Sequence, residues 1–207
     1  YWIIYTDSSF KNTRKINDYP NLKRHLDKFA SIMTSVNKPY GLHRSREQFI
    51  FENEKILVVR KCNKPCFSYV GFDSFVSRAY IIIKTNRFNN KYLTGLLNSK
   101  LVAYWLKNKG KIQGDNYQVD KEPILGIPIY VPNSNEDINI AKIVDSITNI
   151  INSDDYADNI QKQETVKEYE NQIDIMVYKL YGLTYSEVKT VNPNFSMSEQ
   201  EYNNYQI

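Results

Sequence analysis

Lys55-Ile56-Leu57-Val58-Val59-Arg60 is a short β-branched, apolar run, and the turn-prone Asn63-Lys64-Pro65 stops it within a few residues. A core helix needs about ten residues or more to bury a stripe, so a run of this length bounded by turn residues reads as a strand. Two similar runs follow at 67–70 and 75–84, separated by Gly71-Phe72-Asp73. Three short strands so close in sequence predict a small twisted sheet.

Upstream of that sheet, residues 1–6 have strand composition, and Asp18-Tyr19-Pro20 supplies a cap and a first-turn proline. Leu22, Leu26, Phe29 and Met33 then recur at helical spacing and predict one core-facing stripe. Downstream, Asn89 or Asn90 caps a helix carrying Leu93, Leu97, Leu101, Tyr104 and Trp105 and ending at Gly110, and residues 125–131 read as a closing strand before Pro132.

Beyond Pro132 the periodicity is helical. Ser134 and Asp137 stand in capping-box register ahead of Ile140, Ile143, Val144, Ile147 and Ile151. A longer helix bears Ile173, Val177 and Leu180 and stops at Gly182, and Thr184-x-x-Glu187 opens a short last helix. From Asn192 the polar stretch shows no periodicity and reads as disordered or pinned only locally. The expected fold is α/β of the α+β kind: a small mixed twisted sheet with packed helices over 1–132, a helical segment over 133–191, and a flexible tail over 192–207. No internal repeat is evident.

With 207 residues, 42% of them hydrophobic, the chain holds enough apolar side chains for a real core. Its apolar runs, such as 56–59 and 80–83, fall far short of the about 20 residues that span a bilayer, so no membrane partner is expected. Cys62 and Cys66 are the only cysteines, which argues for a reducing, cytoplasmic setting. The chain opens on Tyr1-Trp2-Ile3-Ile4 without an initiator Met or a charged leader and reads as part of a longer protein.

The net charge of +4 conceals a division at Pro132. Residues 1–132 hold 22 Lys and Arg against 10 Asp and Glu, net +12, while residues 133–207 hold 5 against 13, net −8. A polyanion is drawn to the first part and repelled by the second, although a basic surface that merely solvates the fold gives the same count.

Several chemistries lack their residues. Methyl transfer to a flipped base needs a glycine-rich turn after a strand and an Asn/Asp-Pro-Pro-aromatic loop. Asn192-Pro193-Asn194-Phe195 imitates the loop, but Asn194 replaces the second proline and no strand precedes it. Glu187 and Lys189 have nuclease-like spacing, yet they lie on an expected helix where Glu187 serves a capping box, and Asp154-Asp155 reads as a solvated helix end. Cys62-x3-Cys66 with the scattered His25 and His43 does not pair its ligands as zinc sites do, so half-buried thiols are the plainer reading. No catalytic, cofactor-binding or metal-binding residue is therefore assigned.

A basic and aromatic constellation survives. Lys38, Tyr40, His43, Arg44 and Arg46 crowd one loop, where guanidiniums can fork onto guanine edges or phosphates. Arg60, Lys61 and Lys64 make a second basic loop at a strand end. Lys107, Lys109, Lys111 and Gln113 make a third, among glycines that permit close backbone approach. Each alone reads more often as an ordinary solvated loop; three on one small sheet domain predict an interface with double-stranded DNA.

The ordered set of Lys38-Pro39-Tyr40-Gly41-Leu42-His43-Arg44-Ser45-Arg46, Phe51-Glu52-Asn53-Glu54-Lys55-Ile56-Leu57, Tyr92-Leu93-x-x-Leu96-Leu97-Asn98-Ser99-Lys100-Leu101, Ile124-Leu125-Gly126-Ile127-Pro128-Ile129 and Ile173-Asp174-x-x-Val177-Tyr178-Lys179-Leu180-Tyr181-Gly182-Leu183-Thr184-x-x-Glu187-Val188 resembles the TaqI-like C-terminal specificity domains of adenine DNA methyltransferases and of fused type IIG restriction-modification enzymes. The resemblance implies a parent enzyme that moves a methyl group from S-adenosylmethionine to adenine N6, with Mg2+ if a nuclease is attached. It implies an N-terminal catalytic domain of the same polypeptide as partner, and it carries over no catalytic residue to this chain. The alternatives are a stand-alone specificity subunit of a multi-subunit restriction system and a self-sufficient nuclease.

Overall fold

The computed structural model describes residues 2–33, 40–42, 44–62, 64, 66–113 and 116–207, the side chains of 111–113 and 116–118 excepted. Contacts divide the chain into one unit of Tyr1–Glu52 with Asp73–Phe75 and a second of Asn53–Phe72 with Val76–Ile207.

The first unit is built from 3-10 turns at Ser8–Lys11, Lys15–Asp18, Ala30–Ile32 and Gln48–Phe51 around one helix, α1 (Pro20–Asp27), which has proline in its first turn. The expected stripe breaks at its end. The Lys28 and Phe29 N–H groups bond back three residues, to His25 and Leu26, so the last turn tightens into 3-10 geometry and carries Phe29 off the line of Leu22 and Leu26. Leu22 and Leu26 are half-buried, whereas Phe29 is exposed. The strand expected over 1–6 is likewise absent among residues 2–6: Trp2, Ile3 and Ile4 are exposed, and one bond, Leu42 N–H to the Thr6 carbonyl at 3.1 Å, replaces a ladder. Tyr5, Phe51 and Phe75 form a ring cluster with centroids 4.7–5.4 Å apart.

In the second unit β1 (Lys55–Val59) is followed by the two-residue β2 (Lys61–Cys62), β3 (Phe67–Val70) and β4 (Tyr80–Ile83). The strands order as β3-β1-β4, antiparallel throughout, with Ile56 opposite both Tyr69 and Ile83. β4 is shorter than the expected 75–84 because the Tyr80 N–H closes a turn onto Ser77.

The long helix expected from Asn89 to Gly110 is two helices, α2 (Asn90–Asn98) and α3 (Lys100–Lys109). Ser99 between them is extended, with ψ 154°, and its hydroxyl accepts from the Val102 N–H, an N-cap that restarts the helix. A hairpin of β5 (Lys111–Gln113) and β6 (Asn116–Gln118) follows, and β2 adds to it in the order β2-β6-β5. In place of the expected strand at 125–131 stands the short α4 (Lys121–Leu125), followed by extended chain. That extended chain has a side chain where a strand would have a neighbour: the Tyr181 hydroxyl donates to the Pro128 carbonyl at 2.5 Å and accepts from the Tyr130 N–H at 3.0 Å.

Helix α5 (Ser134–Ile151) begins one residue earlier than its expected box, with Asn133 and Glu136 as the reciprocal pair. Asn133 is extended and its amide oxygen reaches two N–H groups, a geometry that a residue already inside the helix cannot adopt. Helix α6 (Ile160–Leu180) ends at Gly182, whose φ of +65° is the left-handed stop that glycine makes cheaply. Thr184 and Glu187 box α7 (Tyr185–Val191) as expected. The aperiodic polar stretch contains a further boxed helix, α8 (Glu199–Asn204), anchored by the buried Tyr202.

The core of this unit centres on α2, which is buried on most sides. Its Tyr92, Leu93, Leu96 and Leu97 cluster with Ile56, Val58 and Phe67 of the sheet and with Ile140, Val144, Ile173 and Val177 of α5 and α6. The α+β expectation thus holds, with helices packed on a small sheet and continuing to the C-terminal end, but the strand pairing is antiparallel rather than mixed. Among the described residues no helix is long and apolar enough to cross a membrane.

Candidate nucleic-acid interface

The first basic loop lies in the first unit and is held from two sides. Tyr40 donates its hydroxyl to Asp27 at 2.7 Å, and Lys23 pairs with the same carboxylate at 2.7 Å while lying over the Tyr40 ring. The hydrogen bonds from Lys23 and Tyr40 hold the Asp27 carboxyl below its ordinary range. Tyr40 therefore braces the loop against α1. Arg46 is half-buried, and both its main-chain groups meet the Tyr5 hydroxyl, which accepts from its N–H at 2.8 Å and donates to its carbonyl at 2.6 Å. Arg44 is exposed, and among the described residues its guanidinium meets no carboxylate within ion-pair distance. Lys38 and His43 lie outside the described residues.

The second and third basic segments, about 50 residues apart in sequence, meet in one sheet of the second unit. Lys61 is opposite Gln118, and Gln118 is opposite Lys111, so these three positions form one cross-strand row. Gln113 pairs with Asn116 at the hairpin's end, and the side chains of Lys111 and Gln113 lie outside the described residues. Lys107 and Lys109 occupy the last turn of α3, where cations complement the helix dipole, and Lys109 lies 5.9 Å from the Trp105 ring centroid. Gly110 makes the passage from α3 into β5 possible, since a Cβ there would fall 2.5 Å from the Leu106 carbonyl oxygen.

The basic residues of this sheet are not equivalent. Arg60 is engaged: its guanidinium donates to Asp120 at 3.0 Å, and its main chain bonds Ala79 and Val119. Lys64 is exposed, with Glu170 at the 4.0 Å limit of an ion pair, a separation worth little in water. Lys61 is exposed. One cation escaped sequence reasoning. Arg78 was absorbed into the expected strand 75–84, whereas it stands exposed in the turn before β4, next to the Ala79 carbonyl that receives the Arg60 N–H.

Other motif residues have structural work. Glu187 closes the α7 box, and Lys189 donates to the Pro193 and Phe195 carbonyls. Phe195 packs on Tyr178 and Tyr202, so Asn192-Pro193-Asn194-Phe195 is a turn onto an aromatic cluster. Asp155 pairs with Lys162. Cys62 is half-buried and Cys66 exposed, and burial pushes the Cys62 thiol upward. Among the described residues no three His, Cys, Asp or Glu side chains gather as a metal site would require.

Compared with known families, residues 6–129 match the TaqI-like C-terminal specificity domain. No curated protein matches the chain.

Proposed function

Because the chain belongs to the TaqI-like C-terminal specificity domain family, we propose that it is the target-recognition module of an N6-adenine DNA methyltransferase or type IIG restriction-modification enzyme, docking duplex DNA for a catalytic domain elsewhere in the same polypeptide. The observation that carries this reading is the β2-β6-β5 sheet, in which two basic segments far apart in sequence flank one strand. Lys61 and Lys111, on the two strands that flank Gln118 of β6, put basic positions on both sides of one sheet, which suits the closely spaced negative charge of a duplex, about one charge per 1.7 Å of axis.

The parts differ by chemistry. Lys61, Lys64, Lys107 and Lys109 are exposed point charges suited to phosphates, which fix register without reading sequence. Arg44 presents an exposed fork able to hold guanine O6 and N7 together. Arg60 and Tyr40, each held by a carboxylate, shape their loops. S-adenosylmethionine belongs to the catalytic domain on this reading; Asn192-Pro193-Asn194-Phe195, which imitates a base-pocket loop, is folded onto Tyr178 and Tyr202.

The test separates affinity from selectivity. Replacing Lys61, Lys107 and Lys109 together by alanine is expected to weaken binding to every duplex alike and to lower the salt slope by roughly three. Arg44→Ala is expected to cost about 1–3 kcal/mol at one base pair and leave non-specific affinity nearly intact. A triple lysine variant with unchanged salt dependence removes β2 and the end of α3 from the interface.

A further inference from the structure

The loop that carries Arg44 and Arg46 is clasped by one short segment of the same unit, residues 5–11. Four contacts join them. The Tyr5 hydroxyl bonds both the N–H and the carbonyl of Arg46. The Ser8 and Ser45 hydroxyls bond each other. The Leu42 N–H donates to the Thr6 carbonyl. Gly41 lies so close to residues 10–11 that a Cβ on it would stand 2.6 Å from the Lys11 nitrogen and 2.8 Å from its Cγ. The Tyr5 ring is itself fixed, 5.4 Å from Phe51 and 4.9 Å from Phe75.

A surface loop without a strand ladder has its main-chain groups satisfied by water and samples many conformations. Here a phenol seated in an aromatic cluster takes both main-chain groups of one residue, and the flanking residues 42 and 45 are tied to the same segment. Arg44, between those ties, keeps an exposed side chain on a fixed main chain. Ordering such a loop before DNA arrives removes a cost that binding would otherwise bear, and it fixes the direction in which a guanidinium fork approaches a base edge.

We propose that Tyr5 is the positioning residue of this recognition loop: through its hydroxyl it sets the main chain on which Arg44 reads DNA, and it touches no DNA itself. The proposal rests on the DNA-reading role proposed for the loop. Its distinguishing consequence is that Tyr5 and Arg44 act through one interaction, so their effects on selectivity are not additive.

The experiment selects the preferred sequence from a randomised duplex pool, then measures Kd for that duplex and a scrambled one with wild type, Tyr5→Phe, Arg44→Ala and the double variant. Tyr5→Phe keeps the ring contacts and removes only the two hydrogen bonds. The expected result is a preferred-to-scrambled ratio lowered about tenfold by Tyr5→Phe, an unchanged scrambled Kd, and no further loss when Tyr5→Phe is added to Arg44→Ala. Ser8→Ala, at an exposed contact of the same clasp, gives a smaller loss of the same kind and serves if Tyr5→Phe does not fold.

If Arg44→Ala lowers the ratio while Tyr5→Phe and Ser8→Ala leave it intact, the clasp proposal is overturned and the loop's reading role stands. If Tyr5→Phe weakens both duplexes equally along with thermal stability, Tyr5 is merely structural and the proposal is again overturned. If none of the variants moves the ratio, the reading role of the loop falls and the proposal falls with it.

Discussion

Asp174 is a carboxylate almost wholly buried, accepting from the Lys100 N–H at 2.7 Å and facing the Lys100 ammonium at 2.9 Å. Burial outweighs Lys100 and holds its carboxyl above the ordinary value of 3.8. A raised acid favours the fold fully below that ordinary value and loses the contribution as pH climbs through the raised one. Asparagine at this position keeps the acceptor for the Lys100 N–H and sheds the buried charge. Asp174→Asn should therefore gain on wild type as pH rises from about 3 to neutrality, whereas Asp174→Ala, which leaves that N–H unpartnered, costs about 1–3 kcal/mol. Urea unfolding across pH reads both; parallel profiles for wild type and Asp174→Asn would deny the carboxylate this role. Asn98 shows why such roles escape the sequence. Its amide closes both main-chain groups of Phe67, 31 positions away, like one more residue of a strand. Nothing in the spacing of a leucine-rich helix announces that pairing.

At the level of elements, α2 and α5 approach over Gly95. A Cβ there would stand 2.6 Å from Ile140 Cγ2 and 3.1 Å from Val144 Cγ2. Alanine is the better helix former by about 1 kcal/mol, but overpacking a tight helix contact costs typically 1–3 kcal/mol. Gly95→Ala is thus expected to destabilise in thermal unfolding, and to do so less in an Ile140→Ala background, where the obstructing methyl is gone. A stabilised Gly95→Ala would mean that the helices have room to spare. Element type was legible wherever a stripe and a stop coincide, as in β1, α6 with Gly182, and α7 with its box. It failed where a competing bond decides. Ser99 interrupts an apolar stripe that runs on in phase, α1 tightens into 3-10 geometry before Phe29, and the chain at 127–131 is satisfied by the Tyr181 hydroxyl. Each outcome depends on a partner or a cap that periodicity does not register.

Across the whole chain, the opposed charges of the two parts are less separate than the sequence count implies. Lys91 pairs with Asp145 and Lys100 with Asp174, while Glu170 stands near Lys64, so acidic residues of α5 and α6 neutralise lysines of the basic part. What remains exposed for a polyanion includes Lys61, Arg78, Lys107 and Lys109. The sequence displayed the excess of positive charge; only the ladder β2-β6-β5 displays which basic segments share a sheet. The first loop belongs to the other unit and is shaped by Tyr5, a residue whose strand-like surroundings masked its part. The measurement that bears most directly on the central claim is equilibrium binding of this chain to a randomised duplex pool over a range of salt. The account predicts that log K falls linearly with log salt, at roughly 0.9 per phosphate contact, and that selection enriches one short sequence. Binding that ignores salt, or that shows the same affinity for every duplex, would contradict it.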